Sequence, residues 1–63
     1  MTIDEQIKEV KREIGMRKVM YPKWVQSDKL RPEKAEHGIA AMEAVLETLT
    51  AVQVAGAAQG RLF

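Results

Sequence analysis

Two apolar stripes, each advancing by alternating steps of four and three residues, constrain this chain more than anything else in it. In the first half Ile3, Ile7, Val10, Ile14, Arg17, Tyr21 and Trp24 keep that spacing. In the second half Ala35, Ile39, Met42, Leu46, Leu49 and Gln53 repeat it. Such steps bring side chains onto one face of an α-helix, as a seam that packs against another helix. The spacing predicts an all-α chain with one helix over about residues 3–27 and another over about 32–55. Val45 and Val52 are expected to widen the second stripe. Arg17 is the one charged member of either seam.

Local signals mark the ends. Thr2-Ile3-Asp4-Glu5 has the form of a capping box, in which the Thr2 hydroxyl and the Glu5 carboxylate satisfy each other's backbone amides. Asp4, Glu5 and Glu9 lie near the positive end of the helix dipole. Pro22 interrupts the first helix: it has no amide hydrogen and crowds the carbonyl of Lys18, at a cost of about 3 kcal/mol. Either the helix stops at Met20 and restarts at Pro22, or one helix kinks there and continues. Tyr21 and Trp24 hold the register across Pro22, which favours the kinked helix. Gly15 is a second weak point, costing roughly 1 kcal/mol against Ala. Ser27-Asp28-Lys29-Leu30-Arg31 reads as the connection, with Asp28 suited to a left-handed backbone. Pro32 fits the first turn of the second helix, where its missing hydrogen costs nothing. Gly56 is expected to end that helix, dividing the chain into a hairpin over 1–55 and a tail over 56–63.

Helices of similar length joined by a short loop imply an antiparallel hairpin. A chain of 63 residues without Cys can bury little surface and has no disulfide to stabilise it. Moreover, Met16, Val19, Met20, Tyr21, Trp24 and Val25 almost encircle the end of the first helix. The expected remedy is a homodimer forming a four-helix bundle.

The same composition bounds the function. No Cys and one His leave too few ligands for a protein zinc site, and no cofactor is expected. Ten Lys and Arg against nine Asp and Glu give a net charge near zero, unlike a dedicated nucleic-acid binder. No continuous run of about 20 apolar residues is present, so no membrane span is expected. The acidic start does not resemble a signal peptide, and the lack of Cys fits a reducing cytoplasm. His37 lies one turn after Glu33, but two ligands are too few for a metal, so an exposed histidine is expected. Glu9–Glu13 and Glu43–Glu47 are carboxylate pairs four residues apart on polar helix faces. They lack the burial that would raise a carboxyl's pKa for acid catalysis, so no enzyme activity is expected.

The middle of the chain, with Tyr21, Pro22, Trp24 and Val25, then Lys29, then Ala35, Glu36, Ile39, Ala40, Met42, Ala44, Val45, Leu46, Thr48 and Leu49, resembles a family of small proteins met in bacteriophage and prophage genomes. Those sequences carry Tyr-Pro-x-Trp-Val, a basic turn, and a helix reading Ala-Glu-x-x-Ile-Ala-x-Met-x-Ala-Val-Leu-x-Thr-Leu. The chain departs from them at Asp28, where the family often has Gly, and at Gly38, where it often has an acid. Gly38 therefore predicts an irregularity early in the second helix. The resemblance implies a phage or prophage origin and the cytoplasm of a host cell, and no particular activity.

Two stretches are candidate partner sites. The tail Gln59-x-x-Leu62-Phe63 resembles the short peptide with which bacterial proteins bind the replicative sliding clamp, written Gln-Leu-(Ser/Asp)-Leu-Phe. In that mode Gln59 would bond at the pocket edge while Leu62 and Phe63 fill an apolar groove. Gly60 and Arg61 depart from the motif and remove one apolar contact. The alternative is the turn end, where Trp24 stands among Lys23, Lys29 and Arg31 and could grip another host protein. Arg17, Lys18 and Lys34 add to that cationic rim, and a third possibility is phosphate binding there. For Tyr21 and Trp24 the register favours packing on the seam over service as exposed anchors. The expected function is a non-enzymatic interaction module that binds a host protein, with the sliding clamp as the leading candidate.

Overall fold

The chain enters its first helix through the capping box. In the computed structural model, which describes the backbone of residues 1–60 and the side chains of residues 1–56, α1 spans Ile3–Gln26 and α2 spans Pro32–Gly60. The Glu5 amide donates to Thr2 Oγ1 at 3.1 Å, and the Thr2 amide donates to Glu5 Oε1 at 3.2 Å. α1 then passes through Pro22 as one helix. The proline leaves the Lys18 carbonyl without its helical partner. Half-buried Tyr21 and Val25 on either side of it offset that loss by packing.

α1 ends in a Schellman motif. Asp28 takes the left-handed backbone with φ 60°. Its amide donates to the Val25 carbonyl at 3.2 Å, while the Lys29 amide donates to the Trp24 carbonyl at 2.9 Å. Asp28 thus does what Gly commonly does at this position, because a short polar side chain tolerates the left-handed region. Leu30 and Arg31 lead directly into α2, whose first turn closes when the Ala35 amide donates to the Arg31 carbonyl at 3.0 Å.

The helices pack along the two predicted seams as an antiparallel hairpin. On α2, Ala35, Ile39, Met42, Leu46, Leu49 and Gln53 are buried or half-buried, and Gly38 is the one further described residue of the helix that is not exposed. On α1 the covered seam runs from Ile3 to Tyr21, with Ile7 and Ile14 buried. At the open end the Gln53 side-chain amide donates to the Asp4 carboxylate, so the last polar member of the α2 seam finds a partner.

Some expectations need correction. Val45 and Val52 do not join the covered strip; they are 42% and 53% exposed, because one α1 helix is too narrow to reach them. Trp24 keeps the seam register but is exposed, since it lies opposite the first turn of α2 and no further α2 residues exist to cover it. Gly56 does not end α2 as expected. The helix continues to Gly60, and among the described residues no glycine has positive φ. The neighbouring alanines are the best helix formers and offset the roughly 1 kcal/mol cost of one glycine. By length and composition Pro32–Gly56 is also apolar enough to cross a membrane. Alanines interspersed with valine and leucine reach that threshold without the continuous apolar run sought in the sequence. Glu43 and Glu47 lie within it, and each acidic group at the centre of a span costs about 2.5–3.5 kcal/mol.

The hairpin leaves much of its apolar surface open. Among the described residues, only Ile7, Ile14 and Ala35 of the apolar ones fall below a tenth of full exposure, and no large side chain is completely enclosed. The accessible surface is 5173 Å², against roughly 4,100 Å² for a typical folded monomer of this mass.

Candidate functional site

The turn end is built from one conflict between the helices and its resolution. Arg17 falls on an apolar seam and Gly38 within a helix, and each is unfavourable read along its own helix. Across the hairpin they meet. Arg17 Nη1 donates to the Gly38 carbonyl at 2.8 Å, and Arg17 Nε donates to Glu13 Oε1 at 2.8 Å. The guanidinium also lies 5.8 Å from the centre of the Tyr21 ring, within cation–π range. Tyr21 in turn packs over Gly38. A β-carbon at position 38 would stand 3.0 Å from Tyr21 Cε2 and 3.3 Å from its hydroxyl oxygen. The glycine is therefore a socket for the tyrosine ring, and α2 passes through it without the expected irregularity.

Trp24 extends this cluster outward. Its ring centre is 5.6 Å from that of Tyr21, in a tilted arrangement. Its carbonyl accepts from the amides of Lys29 and Leu30 and from the Ser27 hydroxyl. Trp24 is thus held at two points: its ring lies against a seated tyrosine, and its backbone carbonyl anchors the loop. It remains 38% exposed. Lys23, Lys29 and Arg31 are exposed beside it in the chain, with Asp28 and Glu33 as the nearby acids in sequence. The arrangement presents a fixed aromatic face with a cationic rim.

The other candidates divide differently. Glu9 and Glu13, paired in sequence, are engaged separately in the hairpin. Glu9 holds Arg12 at 2.6 Å and Glu13 holds Arg17. The hydrogen bond and the charge of Glu9 raise the Arg12 guanidinium above its ordinary pKa. Glu43 approaches Lys18 at 3.9 Å across the hairpin, an exposed contact worth little by itself. His37 is exposed, as expected. A groove of about 450 Å³ is lined by Asp4, Glu5, Ile7, Lys8 and Lys11, all from α1. It is open to solvent along one helix and offers no converging groups from a second element.

In the tail, the backbone of Gln59 belongs to the last turn of α2, while Leu62 and Phe63 lie outside the described residues. The Arg17–Gly38 bond and the Tyr21 socket were not legible as a site in the sequence. The signal was present only as two local departures, an arginine on a seam and a glycine in a helix. No protein-family model, no curated protein and no solved structure matches the chain.

Proposed function

We propose that this chain is a non-enzymatic protein-interaction module that works as a homodimer in the cytoplasm of a host cell and grips a host protein with its turn end. Trp24 is the anchor, and Lys23, Lys29 and Arg31 steer an acidic rim of the partner toward it. The observation that carries this reading is a tryptophan held by Tyr21 and by the Schellman turn, yet 38% exposed. An anchor already fixed in place loses little side-chain freedom on binding, and buried tryptophans dominate the energetics of interfaces. The test is affinity capture from a bacterial lysate with the intact chain and with Trp24→Ala, after circular dichroism has shown equal helix content. Capture of a defined protein by the first and not the second is the expected result. Identical capture by both removes the turn end from the function. A polyanion bound with steep loss of affinity in salt would instead assign the rim to nucleic acid.

A second reading is favoured by the overhang of α2. Gln53 pairs with Asp4 near the start of α1, and α2 continues to Gly60. The backbone of Gln59 therefore lies beyond the first turn of α1, and this reading takes Gln59-x-x-Leu62-Phe63 as the peptide that binds the sliding clamp. Binding of the intact chain to a purified clamp, lost in a Leu62→Ala, Phe63→Ala variant, is the expected result. No binding by the intact chain ends this reading.

A further inference from the structure

We infer that a second copy of the chain docks, antiparallel, on the hairpin face opposite the Lys18–Glu43 bridge, a face formed by Met16, Met20, Val45 and Val52. This rests on the proposal that the chain is a homodimer and names the surface and orientation. The bridge identifies one side of the hairpin. Each residue turns an α-helix by about 100°, so positions two before or after a given residue lie roughly 200° around. Met16 and Met20 flank Lys18 at that spacing, and Ala41 and Val45 flank Glu43. Val52, nine residues on from Glu43, also falls opposite it.

This face carries the features of an uncovered helix interface. Met16 is 52% exposed, Val45 42% and Val52 53%. On α2, Ala41, Val45, Thr48, Val52 and Ala55 repeat the four-and-three spacing of the seam already covered by α1, and all are exposed. A helix with one seam filled and a second in the same register is suited to a bundle. Two helix widths of about 10 Å over a length of about 36 Å give roughly 700 Å² of projected face. Specific dimers bury about 600–1,000 Å² per partner, and the face falls within that range.

Charge selects both occupant and orientation. Helices that lie on membranes are rich in Lys and Arg on the polar face, whereas the side opposite this face mixes Lys11 and Lys18 with Glu36, Glu43 and Glu47. The open half of the face has a small excess of acid, Glu5 beside the Glu9–Arg12 and Glu13–Arg17 pairs, and the turn half carries Lys23 and Lys34. An antiparallel pair sets each basic half against the partner's acidic half. A parallel pair would set like against like.

Sedimentation equilibrium of the full chain is expected to give twice the 7.1 kDa chain mass, and a Val45→Lys, Val52→Lys variant at the same concentration the single mass with helix retained. Lys23→Cys and Glu9→Cys copies, mixed and treated with a short bismaleimide, are expected to link to each other, while Lys23→Cys alone does not. A monomeric intact chain overturns both the dimer and this face. A dimer unchanged by the two lysines leaves self-association standing and overturns the face. Efficient linking of Lys23→Cys to itself overturns the antiparallel orientation. A monomer that instead sediments with phosphatidylglycerol vesicles assigns the face to lipid and overturns the inference. Trp24→Ala is expected to leave the mass unchanged, which separates this surface from the turn end.

Discussion

Replacing Gly38 with alanine tests the socket directly, because two opposed effects of known size meet at one atom. Alanine in a helix interior is favoured over glycine by about 0.8–1.0 kcal/mol. At Gly15 nothing lies within 4 Å of the added β-carbon, so Gly15→Ala should gain that amount. At Gly38 the same carbon would meet Tyr21 Cε2 at 3.0 Å, and the ring must move by a few tenths of an ångström. Its freedom is limited by Trp24 at 5.6 Å and by the Arg17 guanidinium at 5.8 Å. Overpacking of this kind costs about 1–3 kcal/mol. Gly38→Ala should therefore be neutral or lose up to about 2 kcal/mol, leaving it 1–3 kcal/mol below Gly15→Ala. For a domain of this size 1 kcal/mol corresponds to about 4–8 °C in the melting temperature. The assay is thermal unfolding by circular dichroism at one fixed concentration, since dimerisation would make the midpoint concentration-dependent. In a Tyr21→Ala background, Gly38→Ala should recover the Gly15-like gain. If Gly38→Ala stabilises as much as Gly15→Ala in the unaltered chain, Tyr21 does not occupy the socket and the account of the turn end fails.

Other consequences follow from the same contacts. Arg17→Ala removes the bonds to Gly38 and Glu13 and should cost about 1.5–3 kcal/mol in urea unfolding, the range for hydrogen bonds made by charged groups; a loss below 0.5 kcal/mol would mean that these contacts are not maintained in solution. Thr2→Ala removes the capping hydroxyl and should cost about 1 kcal/mol, with amide hydrogen exchange accelerated in the first turn of α1 and unchanged near Tyr21.

Much of the fold is legible in the sequence because the hairpin depends on features that act locally or periodically. The capping box, the left-handed turn at Asp28, the helix start at Pro32 and both seams all depend on spacings within a few residues. What was not legible depends on what lies opposite. Trp24 has the same register as Tyr21, yet Tyr21 packs on Gly38, well inside α2, while Trp24 stands at the end where α2 begins and is 38% exposed. Val45 and Val52 are as apolar as Leu46 and Leu49, but their exposure follows from the width of a single facing helix. Gly56 is a helix terminator in isolation and a tolerated interruption among alanines.

Arg17 and Gly38 show why this limit is physical. A charged side chain on an apolar seam ordinarily loses hydration without recompense. A glycine in a helix ordinarily costs backbone entropy. Each is explained only by the other, with Tyr21 between them: the absent β-carbon admits the ring, and the arginine closes over that ring onto the half-buried Gly38 carbonyl. Since an apolar seam alone specifies register weakly, this contact, with the Gln53–Asp4 bond, the Lys18–Glu43 approach and the short connection, sets the register in which α1 meets α2. With that register set, the Schellman turn places Trp24 past the last covering residue of α2. The exposure of the proposed anchor is thus a consequence of the same pairing that locks the hairpin.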